Sequence, residues 1–160
     1  MLLAWERLNG RSGHDVAYQL LRRLYEENAG KNMPSISTSP TGKPYFSGES
    51  LHFSISHTKD HAFCCLSDTN VGIDAEPMDR EVAVRLAKKC LSASEFEIYQ
   101  SSDNPADTFL RLWVLKEAYA KLTGKGLGNY LWETSFTPDS PEIQIIDGCY
   151  VAVLTEKEIK

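Results

Sequence analysis

Apolar residues recur at helical spacing between His14 and Ala29, where Val16, Ala17, Leu20, Leu21 and Leu24 form one stripe. That pattern predicts a first helix, with Ser12 or Asp15 suited to its N-terminus and Gly30 to its exit. From Lys31 to Ser50 the periodicity dissolves into a stretch rich in Pro, Ser, Thr and Gly, which reads as loop. Alternation follows: Leu51, Phe53 and Ile55 fall on one face of a strand ending at His57, and His52, Ser54 and Ser56 on the other. His61–Leu66 and Val71–Glu76 read as two further strands joined by a polar turn, Ser67 to Asn70.

Helical spacing returns after Pro77. Val82, Ala83, Leu86, Ala87 and Cys90 predict a helix over Asp79–Cys90, and Ser92-Ala93-Ser94-Glu95 has the form of a capping box opening a short one. Asn104-Pro105 offers an N-cap and a proline at the first helical position for a longer helix that ends before Gly124. Beyond Gly128, strands are expected near Tyr130–Phe136, Glu142–Ile146 and Cys149–Leu154. The order helix, strands, helices, strands reads as α+β in one unit without an internal linker.

Composition narrows the function classes. The 160 residues are 42% hydrophobic and 24% charged, with 17 basic against 22 acidic residues and a net charge of −5. This is the balance of an ordinary globular chain, not of a disordered or fibrous one. An acidic total argues against general nucleic-acid binding, which needs a broadly basic surface. The opening apolar run is broken by Glu6, and no stretch has the length of a signal-peptide core or a membrane span. Cys64, Cys65, Cys90 and Cys149 form no CxxC pair, and the adjacent two would point to opposite faces of a strand. Free buried thiols and a cytoplasmic location are the expectation.

Candidate chemistry gathers in a few places. Asp74 and Glu76 stand two apart at the end of a strand, on one face, where their mutual repulsion calls for a cation; a solvated strand end is the alternative. Glu117 and Lys121 share a helix face with Trp113, either as a surface ion pair or as a further carboxylate with a lysine reaching a phosphate. His57 closes the alternating strand, and Gly42-Lys43-Pro44 forms a turn in the loop before it. Gly124, Gly126 and Gly128 follow a helix and precede a strand, the reverse of a dinucleotide loop, so that reading is rejected.

In order and spacing, GKP (Gly42–Pro44), FSISH (Phe53–His57), VGIDAE (Val71–Glu76), WVLKEAYAK (Trp113–Lys121) and TGKGL (Thr123–Leu127) resemble the motifs of the 4′-phosphopantetheinyl transferases of the surfactin-synthetase-activating type. The resemblance implies a fold of two similar α+β halves packed as an intramolecular pseudo-dimer, here 1–70 and 71–160, with the cofactor between them. It implies that Asp74, Glu76 and Glu117 hold Mg²⁺, and that Lys121 approaches the transferred phosphate. Ser56 and His57 would meet the 3′-phosphate end of coenzyme A, and Lys43 would lie near its adenine nucleotide. Ala75 replaces the larger aliphatic residue usual between the two carboxylates. Ahead of the first helix, full-length relatives have a longer opening strand and more basic residues contacting the nucleotide phosphates. Here Arg11 and His14 are the candidates for that contact.

The implied reaction transfers the 4′-phosphopantetheine arm of coenzyme A to a serine of an acyl or peptidyl carrier protein, releasing 3′,5′-ADP. Glu117, or a water it orients, would take the serine proton, with a water on the metal as the second choice. A catalytically silent coenzyme A or carrier-protein module would be expected to have lost a metal carboxylate, and all three acids are present. A generic Mg²⁺-dependent nucleotide hydrolase explains the carboxylates but not the GKP and SH motifs. Carrier proteins of this kind are acidic, and Arg80–Cys90 holds four basic residues against one acid. Arg85, Lys88 and Lys89 could form a docking face or a merely solvated one. A pseudo-dimer leaves monomer as the expected state.

Overall fold

A computed structural model describes residues 1–126, 128, 132 and 134–156. Among these residues the chain forms β1 (Leu2–Arg7), α1 (Gly13–Ala29), β2 (Ile36–Thr38), β3 (Pro44–Phe46), β4 (His52–His57), β5 (His61–Ser67) and β6 (Val71–Pro77). The order continues through α2 (Val84–Cys90), α3 (Ala93–Ser101), α4 (Pro105–Thr123), β7 (Ile143–Ile146) and β8 (Cys149–Thr155). The architecture is α+β, with three antiparallel sheets ordered β1-β5-β4, β2-β3 and β6-β8-β7.

The helix boundaries follow local chemistry. The Ser12 side chain accepts from the Asp15 amide, and Gly30 closes α1 in the left-handed conformation. Ser92 and Glu95 complete the reciprocal capping box of α3. Asn104 caps α4, Pro105 occupies its first position, and Gly124 ends it left-handed.

The central strands alternate between two apolar environments. Ala62, Cys64 and Leu66 of β5 join Phe53 of β4 and Val16, Ala17, Leu20 and Leu21 of α1 in one core. Tyr150, Ala152 and Leu154 of β8 pack with the apolar face of α4 in a second. The opposite strand faces meet in a third core, made of Phe63 and Cys65 with Val71, Ile73, Ala75, Cys149, Val151 and Val153. Each large sheet therefore carries a helix on one face and shares the other. Cys64 and Cys65 do point to opposite sides, and all four cysteines are free and buried. Burial pushes the Cys64 and Cys65 thiols up to about 12.

The opening apolar run, for which no element was expected, is strand β1, paired along its whole length with β5. The Lys31–Ser50 stretch is not all loop, because Ile36–Thr38 and Pro44–Phe46 pair as a short hairpin. The helix expected over Asp79–Cys90 begins only at Val84: the Arg80 amide turns back to the Pro77 carbonyl, and Ala83 offers the helix no side-chain cap. Of the strand expected near Tyr130–Phe136, three residues lie outside those described, and the described ones, Trp132 and residues 134–136, belong to no strand; Leu127 of the glycine-rich motif also lies outside those described.

Candidate active site

Strand parity sets the site. Val71, Ile73 and Ala75 face the core between the sheets, so Gly72, Asp74 and Glu76 face α4. A Cβ on Gly72 would stand 2.0 Å from the Ala118 carbonyl oxygen and 2.5 Å from the Leu122 nitrogen. The missing side chain lets the helix backbone lie directly on the strand. That close approach brings Glu117 and Lys121 over the two strand carboxylates.

The Lys121 ammonium donates to Asp74 Oδ1 at 2.8 Å, and Ser56 Oγ donates to the same oxygen at 2.9 Å. Lys121 thus reaches across to β6, and the surface pair with Glu117 on its own helix is not what forms. Trp113 Nε1 donates to Glu76 Oε1 at 3.0 Å, and Arg80 pairs with the same carboxylate. Burial and the nearby Asp74 charge push the Glu117 carboxyl up to about 7, with Lys121 opposing. Burial raises Glu76 as well, against the pull of Arg80.

Asp74, Glu76, Glu117 and Lys121 line a cavity of about 340 Å³ together with Ser56, His57 and His14. A second cavity of about 240 Å³ adjoins it, walled by the Gly42-Lys43-Pro44 turn, Phe53, Ser54 and Gly124. Ile55, Glu117 and Lys121 border both. His57 is exposed and lies against the first turn of α1, where a Cβ on Gly13 would come within 2.7 Å of its ring. Lys43 lines the second cavity while its ammonium contacts Asn70, Val71 and Leu122. Arg11 stands apart from both cavities, donating to Glu6 Oε1 at 2.5 Å and to the Leu8 and Arg7 carbonyls.

Two supporting features were not read from the sequence. Arg80 neutralises Glu76 from the irregular turn that replaces the expected start of a helix. Beside Glu117, Lys116 is only 2% exposed and pairs at 2.7 Å with Glu95, which is fully buried. Glu95 also accepts the Ser92 and Phe136 amides, and Lys116 donates to the Thr134 carbonyl. A lysine amid the apolar positions of a helix is the signal that could have found this pair, since such a charge demands a partner.

The carboxylates Asp74, Glu76 and Glu117 are an oxygen-only donor set facing one cavity, and burial first, with the neighbouring carboxylate charges after it, raises the carboxyls of Glu76 and Glu117. That chemistry fits a hard divalent cation. Among the described residues no three His, Cys, Asp or Glu groups are gathered at metal-holding spacing. Lys121 and Arg80 hold two of the three carboxylates instead.

No helix among the described residues is long and apolar enough to cross a membrane. Residues 70–155 match the 4′-phosphopantetheinyl transferase superfamily. The chain is 34% identical over 123 residues to the 4′-phosphopantetheinyl transferase psf-1 of Bacillus pumilus, covering 74% of this chain and 52% of that protein. It is 33% identical over 118 residues to the 4′-phosphopantetheinyl transferase Sfp of Bacillus subtilis strain 168, covering 72% and 51%. It is also 33% identical over 107 residues to the 4′-phosphopantetheinyl transferase gsp of Aneurinibacillus migulanus, covering 66% and 44%. The chain spans about half the length of these relatives. With the matched region covering more than half of this chain, it belongs to the 4′-phosphopantetheinyl transferase superfamily.

Proposed function

We propose that the chain transfers the 4′-phosphopantetheine arm of coenzyme A to a serine of an acyl or peptidyl carrier protein, with Mg²⁺, releasing 3′,5′-ADP. The observation that carries this reading is the meeting of Asp74, Glu76, Glu117 and Lys121 on one cavity, from a strand and a helix far apart in sequence. The activity in the names of the similar proteins supports it.

Asp74, Glu76 and Glu117 would hold Mg²⁺, which when bound neutralises pyrophosphate charge. Lys121 moves from Asp74 to the phosphate oxygens where negative charge develops. Glu117 accepts the serine proton directly or through a water. Ser56 and His57 take the 3′-phosphate end, with His14 beside them in the same cavity. Lys43 borders the nucleotide in the adjoining cavity. Arg11 reaches a phosphate only by leaving its pair with Glu6.

Residues 1–70 and 71–160 act as two similar halves of a pseudo-dimer, a reading supported by the helix laid on each large sheet and the core shared between them. The protein functions as a monomer, and its four free buried cysteines suit a cytoplasmic setting. The acidic carrier docks on α2, where Arg85, Lys88 and Lys89 are exposed beside the exposed apolar Met78 and Val84. Lys88→Glu with Lys89→Glu raises the carrier KM at least about fivefold; an unchanged KM removes this docking face. The reaction itself is tested by incubation with an apo carrier protein, coenzyme A and Mg²⁺. A carrier that gains the phosphopantetheine mass supports the proposal. Hydrolysis of coenzyme A with no gain would make the protein a hydrolase instead.

A further inference from the structure

Lys43 sits in the Gly42-Lys43-Pro44 turn beside the cavity proposed for the nucleotide, but its ammonium is engaged within the protein. Nζ lies 2.5 Å from Asn70 Oδ1, 2.8 Å from the Leu122 carbonyl oxygen and 3.2 Å from that of Val71. An ammonium has three protons, and here there are three acceptors. Asn70 Nδ2 donates to the same Leu122 carbonyl at 2.8 Å, which closes the junction.

The acceptors come from elements that matter to the site. Leu122 lies in the last turn of α4, where carbonyls lack intrahelical partners and the helix dipole is negative. Asn70 and Val71 lead into β6, which carries Asp74 and Glu76. The turn itself lies against the helix end, since a Cβ on Gly124 would meet Lys43 Cδ and Thr41 Oγ1 at 3.4 Å. Burial lowers the Lys43 pKa, as it does for an ammonium drawn out of water.

We propose that Lys43 is a positioning residue whose ammonium clasps the end of α4 to the start of β6. It thereby fixes Glu117 and Lys121 over Asp74, while only its stem and main chain border the nucleotide. The catalytic half of this statement rests on the function proposed above; the clasp itself does not.

A double-mutant cycle on the full chain tests the clasp without reference to activity. Lys43→Met keeps the stem and deletes the ammonium, and Asn70→Ala removes the other half of the junction. Each single substitution lowers Tm by about 3 °C or more. The double variant falls little further than the worse single, because both break one network. Additive losses would overturn the clasp.

Kinetics with coenzyme A and with its analogue lacking the 3′-phosphate test the consequence. Lys43→Met lowers kcat about tenfold for both, and the ratio of their KM values stays within about twofold. Asn70→Ala, which lines neither cavity of the site, repeats that loss. A KM for coenzyme A that rises about tenfold, with the analogue's unchanged, would make Lys43 a phosphate ligand and overturn the proposal. Should Lys43→Met fail to fold, Lys43→Arg retains donors at the junction and reads the same ratio. If the unsubstituted protein transfers nothing, the functional reading fails while the melting cycle still decides the clasp.

Discussion

The ammonium of Lys121 lies 2.8 Å from Asp74 Oδ1, joining the last turn of α4 to the middle of β6. The lysine therefore competes for a carboxylate that the proposed cation also needs. Lys121→Met removes the cation from Asp74 and leaves it the Ser56 hydroxyl alone. In the absence of coenzyme A, Mg²⁺ binding by titration calorimetry strengthens about tenfold, equivalent to about 1.4 kcal/mol. Transfer to the carrier falls about a hundredfold despite the tighter metal, because the cation that meets developing charge is gone. Weaker Mg²⁺ binding in the variant would show that Lys121 does not hold Asp74 against the metal.

Gly72→Ala tests the contact that assembles the site. The added methyl meets main-chain atoms of Ala118 and Leu122 at 2.0 and 2.5 Å, and neither can rotate away. Either α4 moves off the strand or β6 bends. The expected cost is about 2–3 kcal/mol by denaturant titration. Activity per folded molecule drops more than about tenfold as Glu117 and Lys121 shift away from Asp74. A variant of unchanged stability would contradict the direct seating of the helix.

Gly13→Ala behaves differently. The atoms nearest its methyl belong to the His57 side chain, whose exposed ring can rotate away. Stability changes by no more than about 1 kcal/mol, since alanine is also the better helix former. The coenzyme A KM rises several-fold with kcat nearly intact, because His57 loses its place in the cavity. A fall in kcat alone would assign His57 a different role.

Acid stability depends on Asp147, at the turn between β7 and β8. Arg7 of β1 donates to it twice, at 2.6 and 2.7 Å, and His61 of β5 once, at 2.8 Å. The Arg7 hydrogen bonds first, and that of His61 second, hold the carboxyl well below the usual range. A depressed folded value stabilises fully above the unfolded value of about 4 and is lost as pH falls through the folded one. Asp147→Asn should therefore melt below the unsubstituted protein at neutral pH, and the gap should close between about pH 5 and about pH 2. A gap that widens in acid would contradict the sign.

Much of this was legible in the sequence where the signal is local. The caps of α1, α3 and α4 lie within a few residues of the amides they serve, so Ser12, Ser92-Glu95 and Asn104-Pro105 announced them. Period two alone put Asp74 and Glu76 on one face. What escaped depends on partners distant along the chain. β1 has no clean alternation, since its face is set by pairing with β5 some sixty residues away. The three-residue strands β2 and β3 carry too few positions for a pattern. Val82 and Ala83 keep helical spacing outside any helix, because the Arg80 turn delays α2 to Val84. The motif placed Lys43 near the site, but its acceptor on Leu122 lies 79 residues on and no spacing rule reaches it.

In the proposed reaction Glu117 and Lys121 act with the strand carboxylates on one pyrophosphate. The most direct measurement is the intact mass of an apo carrier protein after incubation with coenzyme A, Mg²⁺ and either the unsubstituted protein, Glu117→Gln or Lys121→Met. The expected result is a phosphopantetheine gain on the carrier's acceptor serine with the first, and initial rates lowered about a hundredfold or more with each variant. No gain with the unsubstituted protein, or near-normal rates with both variants, would contradict it.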